Sequence, residues 1–252
     1  MLNIPDFIVE ITRRCNARCW HCARGELQDL DISDYVLEKV FSKISRIGCL
    51  TITGGEPSLA VNKIKRIIEL IKRHKVEIES VYLVTNGIFI TDEFILTMME
   101  LVLLCNEYDM EERGPAHNYS NSKFHPNNED GVAKLKLLSF TGPKYSSNFK
   151  LSWDSIIAEG RGENEGARQL TYTPIYVEEG EIVDGTIYLN AKGNIVGNCD
   201  MSYESQDEEA LIICNSDNFE NLMDHIYKYN EFLEKFDGVN TKEDILNMLE
   251  FS

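Results

Sequence analysis

Positive charge is scarce in this 252-residue chain: 25 Lys and Arg stand against 42 Asp and Glu, for a net charge of −17. The deficit concentrates at the C-terminal end, where residues 200–252 carry 14 acidic side chains against 3 lysines. Binding along a nucleic-acid backbone needs a basic face that releases counterions. That class of partner is not expected, although a small nucleotide or a local basic pocket is not excluded. Long apolar runs are missing too. The best candidate, Ile95 to Cys105, is broken by Glu100 and falls short of the ~20 residues a membrane span needs, so no membrane association is expected. The opening Met1-Leu2-Asn3-Ile4-Pro5-Asp6 lacks the basic and long apolar regions of a secretory signal. Seven cysteines are an odd count, which argues against a disulfide framework. A reducing, cytoplasmic setting is expected, with cysteines as metal ligands or inert thiols. What remains is a globular chain, 43% apolar, long enough to bury a core.

Its first hundred residues alternate between two periodicities. Phe7 to Ile11 reads as a short strand. Ser33 then caps a helix carrying Ile32, Val36, Val40, Ile44 and Ile47 at helical spacing, stopped at Gly48. Cys49 to Thr53 is a second strand, and Val61, Ile64, Ile67, Ile68 and Ile71 mark a second helix. Ser80 to Thr85 is a third strand, and a third helix begins at Thr91-Asp92-Glu93. Strand-helix alternation predicts parallel strands with right-handed crossovers. Beyond this the signal weakens. A strand is expected near 117–122, a helix over 129–138, and strands at Asn148 to Ile157 and Thr171 to Val177. Gly185 to Asn190 and Asn194 to Gly197 read as a hairpin turning at Ala191-Lys192-Gly193. Helices are expected at 217–236 and 241–250.

Each of the first three strands ends in an unusual polar loop. The first is Cys15-Asn16-Ala17-Arg18-Cys19-Trp20-His21-Cys22, a C-x3-C-x2-C spacing; the second is Gly54-Gly55-Glu56-Pro57; the third is Thr85-Asn86-Gly87. Three thiolates are one short of the four ligands that close a structural zinc site. They suit a four-iron, four-sulfur cluster that keeps one iron open. In parallel α/β architectures the C-terminal strand ends share one face, and ligands bind there. The three loops therefore converge on one candidate site.

Together these motifs resemble the radical S-adenosylmethionine (radical SAM) enzymes, over at least residues 7–160. The resemblance implies a partial (β/α)6 TIM-like barrel, an α/β fold, as a core over residues 1–180. It implies that Cys15, Cys19 and Cys22 ligate a [4Fe-4S] cluster and that S-adenosylmethionine chelates the open iron. The backbone at His21 would contact adenine. Gly54 and Gly55 would let the backbone approach the methionine end, with Glu56 and Pro57 beside them. Thr85 and Asn86 would shape the adjoining wall. Ser120 and Ser122 would meet the ribose if their stretch is the fourth core strand. Arg161, in Glu159-Gly160-Arg161-Gly162-Glu163, resembles the Gly-Arg late in the core of peptide-modifying members. An external electron donor, flavodoxin- or ferredoxin-like, is implied as a partner.

Residues 181–252 form an expected C-terminal α/β extension. Thr186 to Cys199, with Ile212-Ile213-Cys214-Asn215 and Phe219-Glu220-Asn221-Leu222, is similar to the hairpin and first cysteine of SPASM or twitch extensions. Only Cys199 and Cys214 lie there, where a complete cluster site would need about four thiolates. No auxiliary cluster is expected, and the hairpin and helix are expected to cap the open side of the barrel. Cys199 is a candidate hydrogen-atom donor or substrate-binding thiol. The resemblance favours a ribosomally made peptide as substrate. A nucleotide or other small molecule, such as a deazapurine precursor, is the alternative enzyme reading. A non-catalytic iron–sulfur redox or regulatory protein is the alternative from another class.

Overall fold

The computed structural model of the chain describes residues 1–105, 117–121, 128–141, 146–148, 156–163, 167–234 and 241. Strand β1 (Leu2–Glu10) pairs in parallel with β2 (Ile44–Thr53), which pairs in parallel with β3 (Glu77–Val84). Helices α1 (Asp34–Phe41), α2 (Val61–His74) and α3 (Asp92–Val102) follow these strands in turn. The parallel series continues through β4 (His117–Asn121) to β5 (Ser146–Asn148), with α4 (Glu129–Leu135) between them. This is the α/β fold with a parallel core sheet that the sequence pattern predicts.

The helices form where their caps and faces allow. Ser33 caps α1 by accepting from the N–H of Val36, and Thr91 caps α3 by accepting from Phe94. α2 buries Ile64, Ile67, Ile68 and Ile71 and turns its lysines and arginines outward. Phe7, Val9 and Ile11 pack against this helical layer, with Phe7 edge-on to Phe41 at 5.9 Å. Strand side chains alternate between faces, so Ile8 and Tyr188 look the other way, into a second apolar cluster with Tyr172, Val196 and Met201.

Several expectations need correction. α1 ends at Phe41, and Ile44 and Ile47 belong to β2. Their spacing of three continues the helical phase, but Ser42 caps the helix and Ile44 already pairs with Leu2. Gly48 is no helix stop. It lies mid-strand, where a Cβ would fall 2.5 Å from the Pro5 carbonyl oxygen. The strand expected from Asn148 to Ile157 is instead β5, ending at Asn148, and residues 149–155 lie outside the described ones. From Thr171 to Val177 only the end is regular, where β6 (Tyr176–Glu178) pairs with β7 (Glu181–Asp184). The helix expected over 217–236 is α6 (Leu222–Leu233) preceded by a 3-10 turn at Ser216–Asn221. The Asn215 side chain tightens that turn by accepting from the N–H groups of Asp217 and Asn218. Of the helix expected at 241–250, residues 242–250 lie outside the described residues.

The hairpin is β8 (Thr186–Leu189) and β9 (Asn194–Val196), continued by β10 (Ile212–Asn215). It joins the core sheet. β8 adds in parallel to the free edge of β1, giving one eight-stranded sheet in the order β10-β9-β8-β1-β2-β3-β4-β5. The reason is backbone pairing: β1 buries both edges, with Asp6 to Val9 matched to Thr186 to Leu189. Among the described residues no helix is long and apolar enough to cross a membrane.

Candidate functional site

The loop after β1 is anchored on two sides where it begins. On its outer side, Arg14 forks onto the Asp31 carboxylate with two contacts of 2.8 Å and reaches the Leu59 carbonyl at 2.8 Å. On its inner side, Arg13 is fully buried and bonds Glu10 at 2.9 Å, Gln206 at 2.9 Å and Asp207 at 3.1 Å. Glu10 is equally buried. It accepts from Tyr188 at 2.7 Å, from the Ala191 N–H at 3.0 Å and from Gln206 at 3.1 Å, besides Arg13. Buried charges require such saturation. The sequence reading missed this group. Its visible signal was an acidic residue inside an apolar strand and an arginine two positions before the first cysteine.

Cys15, Cys19 and Cys22 are free thiols, each partly exposed. Burial pushes the Cys15 and Cys19 thiols above the usual range, and the charge of the other loop cysteines pushes further in the same direction. The three thiols therefore lie within electrostatic reach of one another. Among the described residues no three groups converge closely enough for one metal ion. A cluster requires no such convergence, because each cysteine binds a different iron. The donor set fits a [4Fe-4S] cluster: three soft ligands on one loop, none in a disulfide, with nearby donors for sulfur. The Ala17 N–H lies 3.4 Å from the Cys15 sulfur, and Asn86 Nδ2 lies 3.8 Å from it.

The other two loops are locked to the first. The N–H groups of Gly55 and Glu56 donate to the carbonyls of Thr12 and Arg14, each at 2.8 Å. A Cβ on Gly54 would lie 2.3 Å from the Thr12 oxygen, and one on Gly55 would lie 2.3 Å from the Arg14 oxygen. The glycines thus serve contact between the loops as well as any approach of a ligand. With the Gly55 and Glu56 N–H groups spent on the first loop, the Gly54 and Gly55 carbonyls are groups this motif could offer a ligand. The fully buried Glu56 carboxylate turns away to the third loop. It accepts from the Thr85 hydroxyl at 2.8 Å and the Asn86 N–H at 2.7 Å, and from the Ser58 N–H at 3.0 Å. Pro57 opens the short 3-10 turn Pro57–Leu59 that Glu56 caps. Burial raises the Glu56 carboxyl above its ordinary range, opposed by these donors. Asn86 reaches back to Asn16 at 2.8 Å.

A fourth element joins them. The Gly160–Gly162 turn presses on the cysteine loop so closely that a Cβ on Gly160 would lie 2.4 Å from the Gly25 nitrogen. The Arg161 N–H donates to the Cys22 carbonyl at 3.0 Å, and its guanidinium reaches Glu26 at 3.4 Å. Its Nε is buried without a hydrogen-bond partner among the described residues, and its charge acts on Cys19 and His21. Burial and then Arg161 lower the His21 pKa, so the ring is neutral at pH 7. Trp20 stands edge-on to that ring at 5.1 Å and is half exposed.

One sequence candidate falls elsewhere. Cys199 lines a cavity of about 350 Å³ with Thr173, Gly185 and Thr186, at the N-terminal end of β8. The three cysteines follow the C-terminal end of β1, so Cys199 is not brought among them. Burial, then Asp200, pushes its thiol up to about 11. Ser120 lies in β4 opposite Val84, and Ser122 lies outside the described residues.

A sequence-family model described as the Radical SAM superfamily matches residues 9–110, from the end of β1 past α3. Native anSMEcpe with bound AdoMet and Cp18Cys peptide is similar in structure, with a TM-score of 0.54 and 13% identity, over 90% of this chain and 80% of that one. The same protein with AdoMet and Kp18Cys peptide gives 0.56 and 14% over the same shares. At such identities the likeness is one of fold. No curated protein matches the sequence.

Proposed function

We propose that this chain, which belongs to the Radical SAM superfamily through residues 9–110, is a radical SAM enzyme that takes a hydrogen atom from a peptide substrate. The observation that carries the enzyme reading is the mutual locking of three strand-end loops around three free thiols, through Gly55, Glu56 and Asn86. A bare redox cluster has no use for two further loops with open carbonyls beside it.

Cys15, Cys19 and Cys22 would hold the cluster, and the Gly54 and Gly55 carbonyls would receive the ammonium of S-adenosylmethionine. When bound, these groups supply a 5′-deoxyadenosyl radical by one-electron reductive cleavage, drawing on an external flavodoxin- or ferredoxin-like donor. Glu56 acts as a positioning residue: it fixes Thr85 and Asn86 against the cysteine loop. The His21 backbone would meet adenine, and the neutral His21 ring adds no charge there. Arg161 would place its guanidinium beside the cluster loop, where it offsets negative charge. Ser120 and Ser122 would meet the ribose. Residues 1–180 would form the core and 181–252 the extension, which shares its sheet. The peptide reading is supported by the two similar structures whose descriptions include a bound peptide, since the likeness runs through 90% of this chain.

Anaerobic reconstitution should give about four irons per chain and dithionite-dependent 5′-deoxyadenosine. With a deuterated peptide encoded beside the gene, deuterium should appear in that product. A full cluster that releases no 5′-deoxyadenosine with any peptide or nucleotide would sink the enzyme reading. Deuterium transfer from a nucleotide but from no peptide would sink the peptide reading alone.

A further inference from the structure

The hydroxyl of Tyr203 is a buried polar group with no hydrogen-bond partner among the described residues. The residue is only 3% exposed. Native structures rarely leave such a group unpaired without a reason.

Tyr203 is firmly placed. It opens α5 (Tyr203–Asp207), and the Ser202 side chain caps that helix by accepting from the Ser205 N–H. The Ser202 N–H and the Ser205 hydroxyl both donate to the buried Glu159 carboxylate, at 3.0 and 2.7 Å. The Tyr203 N–H donates to the Arg24 carbonyl at 3.1 Å, and Arg24 stands two residues beyond Cys22. The Arg13 guanidinium covers the ring at 4.6 Å from its centroid, and Arg13 stands two residues before Cys15. Tyr203 is thus tied to both ends of the cysteine loop, by its ring at Arg13 and by its backbone at Arg24. Burial raises the phenol pKa first, followed by the charges of Glu10 and Cys22, with Arg24 and Arg13 opposing. The hydroxyl is therefore a protonated donor at neutral pH, within electrostatic reach of Cys22.

We infer that the Tyr203 hydroxyl donates a hydrogen bond to sulfur on the Cys22 side of the cluster held by Cys15, Cys19 and Cys22, and so raises the cluster's reduction potential. This rests on the cluster reading above. Reduction adds negative charge to the sulfur shell, and a fixed donor stabilises the more negative state more. Tyr203 is a tuning group supplied by the C-terminal extension. Tyr172 is a second buried tyrosine whose hydroxyl lacks a described hydrogen-bond partner. No loop cysteine is among the groups that shift its pKa, so it provides the control.

The test is an anaerobic redox titration of reconstituted full-length protein, followed by electron paramagnetic resonance, on wild type, Tyr203→Phe and Tyr172→Phe. Tyr203→Phe should lower the ratio of reduced to oxidised cluster about tenfold at fixed potential, a fall of about 59 mV for a one-electron couple. Iron content and circular dichroism should not change. Resonance Raman spectra in H2O and D2O should show a deuterium shift of an Fe–S(Cys) stretch in wild type that Tyr203→Phe loses. Tyr172→Phe should match wild type in both. An unchanged potential in Tyr203→Phe, or an equal fall in Tyr172→Phe, overturns the inference while leaving the cluster reading intact. A wild type that assembles no four-iron cluster overturns both.

Discussion

Removing the buried charge pair between Glu10 and Arg13 should loosen the site from beneath. Both side chains are 0% exposed and meet at 2.9 Å. Breaking a buried pair from one side costs about 3–5 kcal/mol, because a charge is left unmatched. Each partner here retains other contacts. Glu10 without Arg13 still accepts from Tyr188, Ala191 and Gln206; Arg13 without Glu10 still meets Gln206 and Asp207. Asp207 is 25% exposed and shared with Lys192, so it is a partial substitute. The lower end follows, about 3 kcal/mol for Glu10→Ala or Arg13→Ala. With a urea slope near ~3 kcal/mol/M, that moves the midpoint by about 1 M. The double variant should be little worse than either single, giving a coupling of about 2–3 kcal/mol, as for neighbours in one network. Equilibrium urea unfolding of the four proteins under argon reads all of this. Losses that add within ~0.5 kcal/mol, or single losses under ~1 kcal/mol, would refute the reasoning.

Three other perturbations probe the locked loops and the isolated thiol. Gly55→Ala puts a Cβ against the Arg14 carbonyl oxygen at 2.3 Å. It should destabilise the chain by about 1–3 kcal/mol and lower iron retention after gel filtration, and wild-type iron content with unchanged stability would contradict this. Burial holds the Glu56 carboxyl above its ordinary value of 4.5. A raised folded pKa gives stability that is full below the unfolded value and is lost as pH rises through the folded one. The melting temperature of wild type relative to Glu56→Gln should therefore fall as pH rises from 4.5, and a gap that widens with pH would reverse the sign. Cys199, with its thiol near 11, should alkylate at pH 8 roughly 200-fold more slowly than in the unfolded chain. Peptide mass mapping after iodoacetamide measures this, and equal rates would show an open thiol.

Local periodicity made the first three strand-helix units legible, because Ile64, Ile67, Ile68 and Ile71 can be read without knowing what they touch. It failed at Ile44 and Ile47, whose spacing suits a helix while their backbone pairs with β1. The three polar loops were legible because they sit at strand ends, where a parallel sheet gathers them. What each residue does there was less so. Glu56 reads as a ligand neighbour by its motif, yet its carboxylate is consumed by Thr85, Asn86 and Ser58. The Glu10 network was not legible, since Tyr188 and Gln206 lie 178 and 196 residues away along the chain. No window of sequence joins them, and only the pairing of β8 with β1 does so.

That pairing also has a consequence in time. β1 leaves the ribosome before the other strands of its sheet, yet one of its edges waits for Thr186 to Leu189. Until then Asp6 to Val9 present unpaired backbone, the kind of edge that recruits the wrong partner. Glu10 meanwhile lacks Tyr188, Ala191 and Gln206. The cysteine loop is thus synthesised early but gains its inner anchorage late. A nascent chain halted before residue 186 would carry all three thiols on a loop held by Arg14, Asn86 and the Gly160–Gly162 turn but lacking the Tyr188, Ala191 and Gln206 contacts beneath it, so the time at which iron is delivered decides which conformation receives it.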